Sequence, residues 1–228
     1  PIPPDIVASQ INSVINDIGC DAVKIGMLHS AQVVDLVAEK IEKYGITNVV
    51  LDPVMVSTSG HRLIEEDAVD HIKRYLMPLA RVVTPNLPEA EILSGRKIGG
   101  EEDFADVARA ISNGGKVSVF LKAGHLQSET LVDYLYNAED GSMTLLPSKR
   151  FHTHNTHGTG CTLSSAFAAA LARGFSLADA AVCAKKYISE AIRSGADVRT
   201  GNGFGPVNHG FDPQKMFLNN KKINQDVQ

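Results

Sequence analysis

The chain has 228 residues, 43% of them hydrophobic, and a formal net charge of −4, which suits one domain with a substantial core. It offers no basic field for nucleic acid, no polybasic signal for a membrane surface, and no apolar run reaching the about 18 residues of a membrane span. Cys20, Cys161 and Cys183 are odd in number and widely spaced, as expected of reduced thiols in a cytoplasmic protein and not of a disulfide framework.

The start, Pro1-Ile2-Pro3-Pro4, carries no initiator methionine and reads as the middle of a protein, a linker or strand exit leading into a helix. Residues 5–18 form the first predicted helix, with Ile6, Val7, Ile11, Val14 and Ile15 on one face. A short apolar run, 22–25, ends at Gly26 and predicts a buried strand. Ser30 caps a helix through about residue 43, stopped by Gly45. Strand 49–51 closes on Asp52-Pro53, helix 65–75 follows, and strand 81–83 closes on Thr84-Pro85-Asn86. A short helix covers 88–93. Phe104, Val107, Ala108 and Ile111 mark the next one, ended by Gly114-Gly115. Strand 117–121 leads into Lys122-Ala123-Gly124-His125. Residues 131–136 and 143–147 form a hairpin with Asp140-Gly141 as its turn. Ser176 and Asp179 open a last long helix, to about residue 193, with a capping box. The segment from Gly201 is rich in Gly, Asn and Lys and reads as a loose tail, 201–228, after a single domain spanning 1–200. Continuous apolar strands alternating with helices predict an α/β fold, a mostly parallel sheet with helices on both faces.

One stretch, residues 152–173, organises the rest. Its polar opening, HTHNTHGTGC, turns into an Ala-rich helix with Leu163, Phe167, Ala170 and Leu171 on its buried stripe. Gly158 and Gly160 let the backbone turn tightly and approach a ligand closely. The first turn of a helix leaves N–H groups unpaired and favours an anion, so Gly158, Thr159, Gly160 and Cys161 form a ready oxyanion or phosphate site. A thiol in that field can act as base or nucleophile. The pattern is not a Walker loop, which ends in Gly-Lys-Ser/Thr. Nor is it a dinucleotide fingerprint, whose third glycine is replaced here by Leu163.

Polar or Gly-rich clusters stand at the other strand exits: Gly26-Met27-Leu28, Asp52-Pro53, Thr84-Pro85-Asn86 with Glu89, and Lys122-Ala123-Gly124. Ligands bind outside the carboxyl ends of an open parallel sheet, so these clusters should converge with the Gly-Thr-Gly turn on one edge. Together they suit phosphoryl transfer, which needs placed cations and donors more than covalent chemistry. Lys122 would contact nucleotide phosphates, and Asp52 and Glu89 would hold Mg²⁺ through water. Glu89 also fits as the favourable acid of a helix start. His152, His154 and His157 lie close in sequence, but the cysteines and carboxylates of a zinc site are missing beside them.

The segment Thr156-His157-Gly158-Thr159-Gly160-Cys161-Thr162 resembles the anion-hole motif of the hydroxymethylpyrimidine/phosphomethylpyrimidine kinases of thiamine biosynthesis, in the ribokinase-like superfamily. The resemblance extends over residues 21–28, 50–55, 83–91 and 121–125, and so over nearly the whole chain to about residue 192. It implies a three-layer ribokinase-like fold and ATP- and Mg²⁺-dependent phosphorylation of 4-amino-5-hydroxymethyl-2-methylpyrimidine, then of its monophosphate. It further implies Cys161 as general base and the Gly158–Cys161 amides as anion hole. Lys122, Asn86 and Lys185 fall on the nucleotide side, Asp52 and Glu89 on the metal, and Gly26 and Met27 on the pyrimidine. By the same resemblance a cytoplasmic homodimer is expected. The family's opening strand and Gly- and Asp-containing segment are not found here, which predicts an incomplete pyrimidine pocket and an exposed sheet edge. Two alternatives stand beside this reading, a pyridoxal kinase and a non-catalytic truncated chain.

Overall fold

The structure is a computed structural model that describes residues 1–55, 63–124, 129–199, 201–215 and 217. Its elements run α1 (Pro4–Asp17), β1 (Val23–Ile25), α2 (Ala31–Tyr44), β2 (Val49–Leu51), α3 (Glu66–His71), β3 (Val82–Val83), α4 (Leu87–Ser94), α5 (Phe104–Ser112), β4 (Ser118–Leu121), β5 (Thr130–Tyr136), β6 (Met143–Lys149), α6 (Thr159–Ala172) and α7 (Leu177–Gly195). The predicted helix 65–75 continues past α3 as a π-helical turn, Ile72–Leu76, and a 3₁₀ turn, Met77–Leu79.

Strand alternation explains the layers. Val49 and Leu51, Val83, Val119 and Leu121 pack with residues of α2 to α5, while Val50, Val82 and Phe120 pack with α6 and α7. Successive side chains of a strand go to opposite faces, so each short apolar run feeds both cores. The six-stranded sheet has order β1-β2-β3-β4-β5-β6. β1 to β4 are parallel, and β5 and β6 join as an antiparallel hairpin.

The caps read from sequence are in place. The Ser30 side chain accepts from Val33 N–H, and Gly45 sits in the left-handed region at φ 60°. Ser176 accepts from Asp179 N–H, but the Asp179 carboxylate takes the Ser176 hydroxyl and not the Ser176 N–H, so the expected capping box is half formed. The hairpin connection is wider than the Asp140-Gly141 turn expected: Tyr136 pairs with Met143, and residues 137–142 form the loop. It closes through Asn137 N–H to Ser142 O and Gly141 N–H to Asn137 O.

One expectation, that of a loose tail, is corrected, and the face read for α1 is only partly covered. The apolar face of α1 is not buried: Val7, Ile11 and Ile15 are half-buried, whereas Ile6 and Val14 are 46% and 50% exposed. α1 lies against α2, where Tyr44 O–H donates to Asn12, and that contact covers only one stripe of it. The segment after Gly201 is also not loose along its middle. Val207 is 3% exposed in the α6–α7 core, Asn208 N–H donates to Ala191 O, and Tyr187 O–H donates to His209 O. One buried valine and the acceptors left at the end of α7 are enough to dock a Gly-rich segment.

Candidate active site

The register of the sheet builds one edge. Ile25, Leu51 and Val83 pair across β1, β2 and β3, so Gly26, Asp52 and Thr84 leave the sheet at one level. Because Leu51 and Val83 face α2 to α5, Asp52 and Thr84 face α6. The pairing continues beyond the strands: Lys122 N–H donates to Pro85 O, and Asn86 and Lys122 form a parallel bridge. Lys122 thus arrives on the same side.

Asp52 is the hub, and it is 1% exposed. Its Oδ1 receives Lys122 Nζ at 2.9 Å and Thr84 Oγ1 at 3.3 Å. Its Oδ2 receives Ser164 Oγ at 3.2 Å and faces Lys24 Nζ at 3.7 Å. Ser164 Oγ also lies 2.9 and 3.1 Å from the Gly160 and Cys161 carbonyls, so its single hydrogen is shared between the carboxylate and the first turn of α6.

That turn is where an anion site is expected from the sequence. Gly158 caps α6 at φ 81° with no side-chain cap. The Gly160 and Cys161 N–H groups have no acceptor among the described residues, and Cys161 is exposed. Open donors at a helix start, with Lys122 alongside, suit phosphoryl oxygens.

The Gly158 turn is held from behind. Thr162 Oγ1 donates to Gly158 O at 2.8 Å and meets His209 Nε2 at 2.9 Å. With its own hydrogen already given, Thr162 must accept from His209, which sets the imidazole tautomer. His157 N–H donates to Gly205 O, so the 205–209 segment braces both sides of the turn.

Glu89 occupies the N3 position of a capping box. Asn86 Oδ1 accepts from Glu89 N–H, and Asn86 N–H donates to Glu89 Oε2. At 3% exposure, burial raises its carboxyl above the ordinary glutamate value. Lys122 and the Asn86 N–H pull it back down, and Asp52 pushes it up.

A family model for phosphomethylpyrimidine kinase matches residues 1–208. The chain belongs to the phosphomethylpyrimidine kinase family. It is 42% identical over 206 residues to the hydroxymethylpyrimidine/phosphomethylpyrimidine kinase of Rhizobium meliloti, covering 90% of this chain and 76% of that protein. It is 45% identical over 208 residues to the thiamine biosynthesis bifunctional protein ThiED of Geobacter sulfurreducens; that match covers 91% of this chain but spans only 42% of the longer protein. Among solved structures, an ADP complex of Bacillus subtilis pyridoxal kinase superposes with a TM-score of 0.81 at 34% identity, covering 92% of this chain and 78% of that one. The fold is the ribokinase-like three-layer α/β architecture expected from the sequence, and the family's reaction class is phosphoryl transfer.

Within this phosphomethylpyrimidine kinase frame, Asp52, Lys122, Gly158, Thr159, Gly160 and Cys161 come together at one sheet edge, with Glu89 close enough for Lys122 and Asp52 to act on its carboxyl. Gly26 and Met27 follow β1 on the same edge, Met27 54% exposed. Asn86 meets Lys122 through the backbone. Lys185 is placed differently: its Nζ lies 2.6 Å from Asp133 Oδ2, and Asp133 Oδ1 accepts from Ala123 N–H at 2.8 Å. Lys185 therefore holds the exit of β4 from below. His125 lies outside the described residues. The His152 ring pairs with Glu129 and the His154 ring lies by Phe204, while His157 bonds Gly205 O through its backbone N–H. No group of three or more His, Cys, Asp or Glu side chains among the described residues is arranged to hold a metal. No helix there is long and apolar enough to cross a membrane.

Sequence reasoning placed Thr84 at this edge without a role, and missed Lys24, Ser164 and His209. Three of these four carry a readable signal. Lys24 and Thr84 are polar residues in or beside apolar strands, on the period-2 face opposite Ile25 and Val83, and Ser164 lies one helical turn after Gly160.

Proposed function

We propose that this edge transfers the γ-phosphoryl group of ATP to the hydroxymethyl oxygen of 4-amino-5-hydroxymethyl-2-methylpyrimidine, and then to the resulting monophosphate, in thiamine biosynthesis. The observation that carries the reading is Cys161 on the same helical turn as the Gly160 and Cys161 amides, which have no acceptor among the described residues, with Lys122 fixed beside them by Asp52. In the first transfer Cys161 takes the hydroxyl proton while the oxygen attacks the γ-phosphorus, and the bond to the β,γ-bridging oxygen breaks to release ADP. The α6 amides and Lys122 stabilise charge on the moving group, preorganised and at no cost in rearrangement.

Mg²⁺ fits this site as an ion held mainly by nucleotide phosphates and water. Both oxygens of Asp52 already serve lysine and hydroxyl partners, so Asp52 would hold the ion through water, as would the buried Glu89. When bound, the ion supplies neutralisation of phosphate charge. Gly26 and Met27 line the pyrimidine, and Asn86 and Lys185 lie on the nucleotide side, Lys185 acting through Asp133. One kinase domain, a homodimer and a cytoplasmic setting complete the proposal.

Pyridoxal kinase is the second reading, favoured by the superposition on a pyridoxal kinase and by the same Cys161 geometry. The test of the mechanism is Cys161→Ala. Loss of a general base is expected to lower turnover of the hydroxymethyl acceptor by about 10²- to 10⁴-fold with nucleotide affinity retained. Near wild-type turnover would remove Cys161 from the chemistry.

A further inference from the structure

Lys24 is the middle residue of β1. Ile25 and Val23 pack toward α2 to α5, so Lys24 faces α6, the side of the active site. Its side chain is only 19% exposed. Its ammonium runs under Gly26, where a β-carbon would lie 2.9 Å from Nζ. A side chain at that position would displace it. Among the described residues its one charged partner is Asp52, at 3.7 Å, beyond hydrogen-bond distance. The same carboxylate already binds Lys122 at 2.9 Å. Two ammonium groups therefore share one carboxylate, and the less satisfied of them is largely withdrawn from water. A desolvated cation with unused donors calls for an acceptor.

Its neighbours indicate which acceptor. On one side are Gly26 and Met27, where the acceptor ring is proposed to sit. On the other is Asp52, whose second lysine lies beside Gly160 of the anion site. The two transfers differ in charge. The hydroxymethyl acceptor is neutral and gives up a proton to a base. Its monophosphate is a dianion above a second pKa of about 6. A phosphate oxygen then attacks the γ-phosphorus with no proton to remove, the bond to the β,γ-bridging oxygen breaks, and ADP leaves. The second transfer brings two further negative charges next to those of ATP.

We propose that Lys24 is a binding site for the phosphate of the monophosphorylated acceptor, the cation that admits a phosphate monoester to a pocket also used by a neutral alcohol. This rests on the kinase reading above.

The test uses the full chain and its Lys24→Met and Lys24→Arg variants, with ADP release measured on the hydroxymethylpyrimidine and on its monophosphate. Losing a charge-assisted hydrogen bond corresponds to about a 10- to 100-fold fall in kcat/KM. For Lys24→Met the fall on the monophosphate should exceed the fall on the alcohol by that factor, and Lys24→Arg should recover part of it. Equal falls on both acceptors with a lowered melting temperature would overturn the proposal and make Lys24 a counter-ion for Asp52, and so would unchanged kinetics on both. If the wild-type chain turned over neither acceptor, the kinase reading would fail by itself. Lys24 would then be judged by calorimetric binding of the monophosphate, where equal affinity in wild type and Lys24→Met overturns the site.

Discussion

Gly160 and Lys122 meet across the active-site edge: a β-carbon at Gly160 would lie 3.2 Å from Lys122 Nζ and 3.8 Å from Asp52 Oδ2. The glycine is there for this approach, since its φ lies outside the left-handed region that favours glycine. Gly160→Ala should leave the fold intact and push the ammonium by a few tenths of an ångström. In the proposed mechanism Lys122 contacts the transferred group, and its displacement is expected to lower kcat by about 10- to 100-fold. Gly158→Ala is the contrasting case, because φ 81° strains any residue with a β-carbon and costs about 1–2 kcal/mol of stability. Thermal melts and turnover on the two variants separate close approach from backbone strain.

Glu89 makes stability depend on pH in a stated direction. Burial raises its folded pKa above the ordinary 4.5. A carboxyl shifted this way stabilises the fold at low pH, and that contribution is lost as the pH rises through the folded value. Glu89→Gln retains a capping-box acceptor and removes the titration. The melting temperature of the variant relative to wild type should therefore climb as pH is raised above 4.5. A difference that stays constant across this range would mean that burial does not hold the carboxyl up.

The Lys185–Asp133 pair is buried, with side-chain exposures of 11% and 6%. Removing one member strands the other, and Lys185→Met should cost about 3–5 kcal/mol in denaturant unfolding. Asp133→Asn combined with Lys185→Met, which removes both charges and keeps an acceptor for Ala123 N–H, should recover most of that. A raised KM for ATP in the stable double variant is the result that assigns Lys185 to the nucleotide.

Thr162 and His209 are 47 positions apart in sequence yet share a hydrogen bond behind the Gly158 turn. His209→Ala should cost about 1 kcal/mol of stability and also lower kcat, because the anion-site turn loses its brace. Thr162→Val should reproduce the kinetic loss. Loss of stability alone, with kcat intact, would make the brace purely structural.

The parts of this site that were legible in the sequence are those set by local chemistry. Ser30, Gly45 and Ser176 announce helix ends because a cap is decided within a few residues. Asp52, Lys122 and Cys161 were placed on one edge because every parallel strand exit in such a sheet opens on the same side. What escaped notice depends on long-range partners. Nothing near Lys185 announces Asp133 on another element. Nothing in the Gly-rich segment after Gly201 announces that Val207 is buried and that His209 reaches α6. The apolar stripe of α1 stays partly exposed, because periodicity gives the direction of a face and not what lies against it. Lys24 was readable from strand alternation, and was passed over because a single lysine in a strand has no signature of its own.

The most direct measurement is Mg-ATP-dependent ADP release by this 228-residue chain with hydroxymethylpyrimidine, its monophosphate and pyridoxal in parallel. Turnover of both pyrimidines, exceeding that of pyridoxal, is the expected result. Turnover of pyridoxal alone would move the activity to the second reading. A folded chain that turns over none of the three would contradict the assignment of this edge as a working phosphoryl-transfer site.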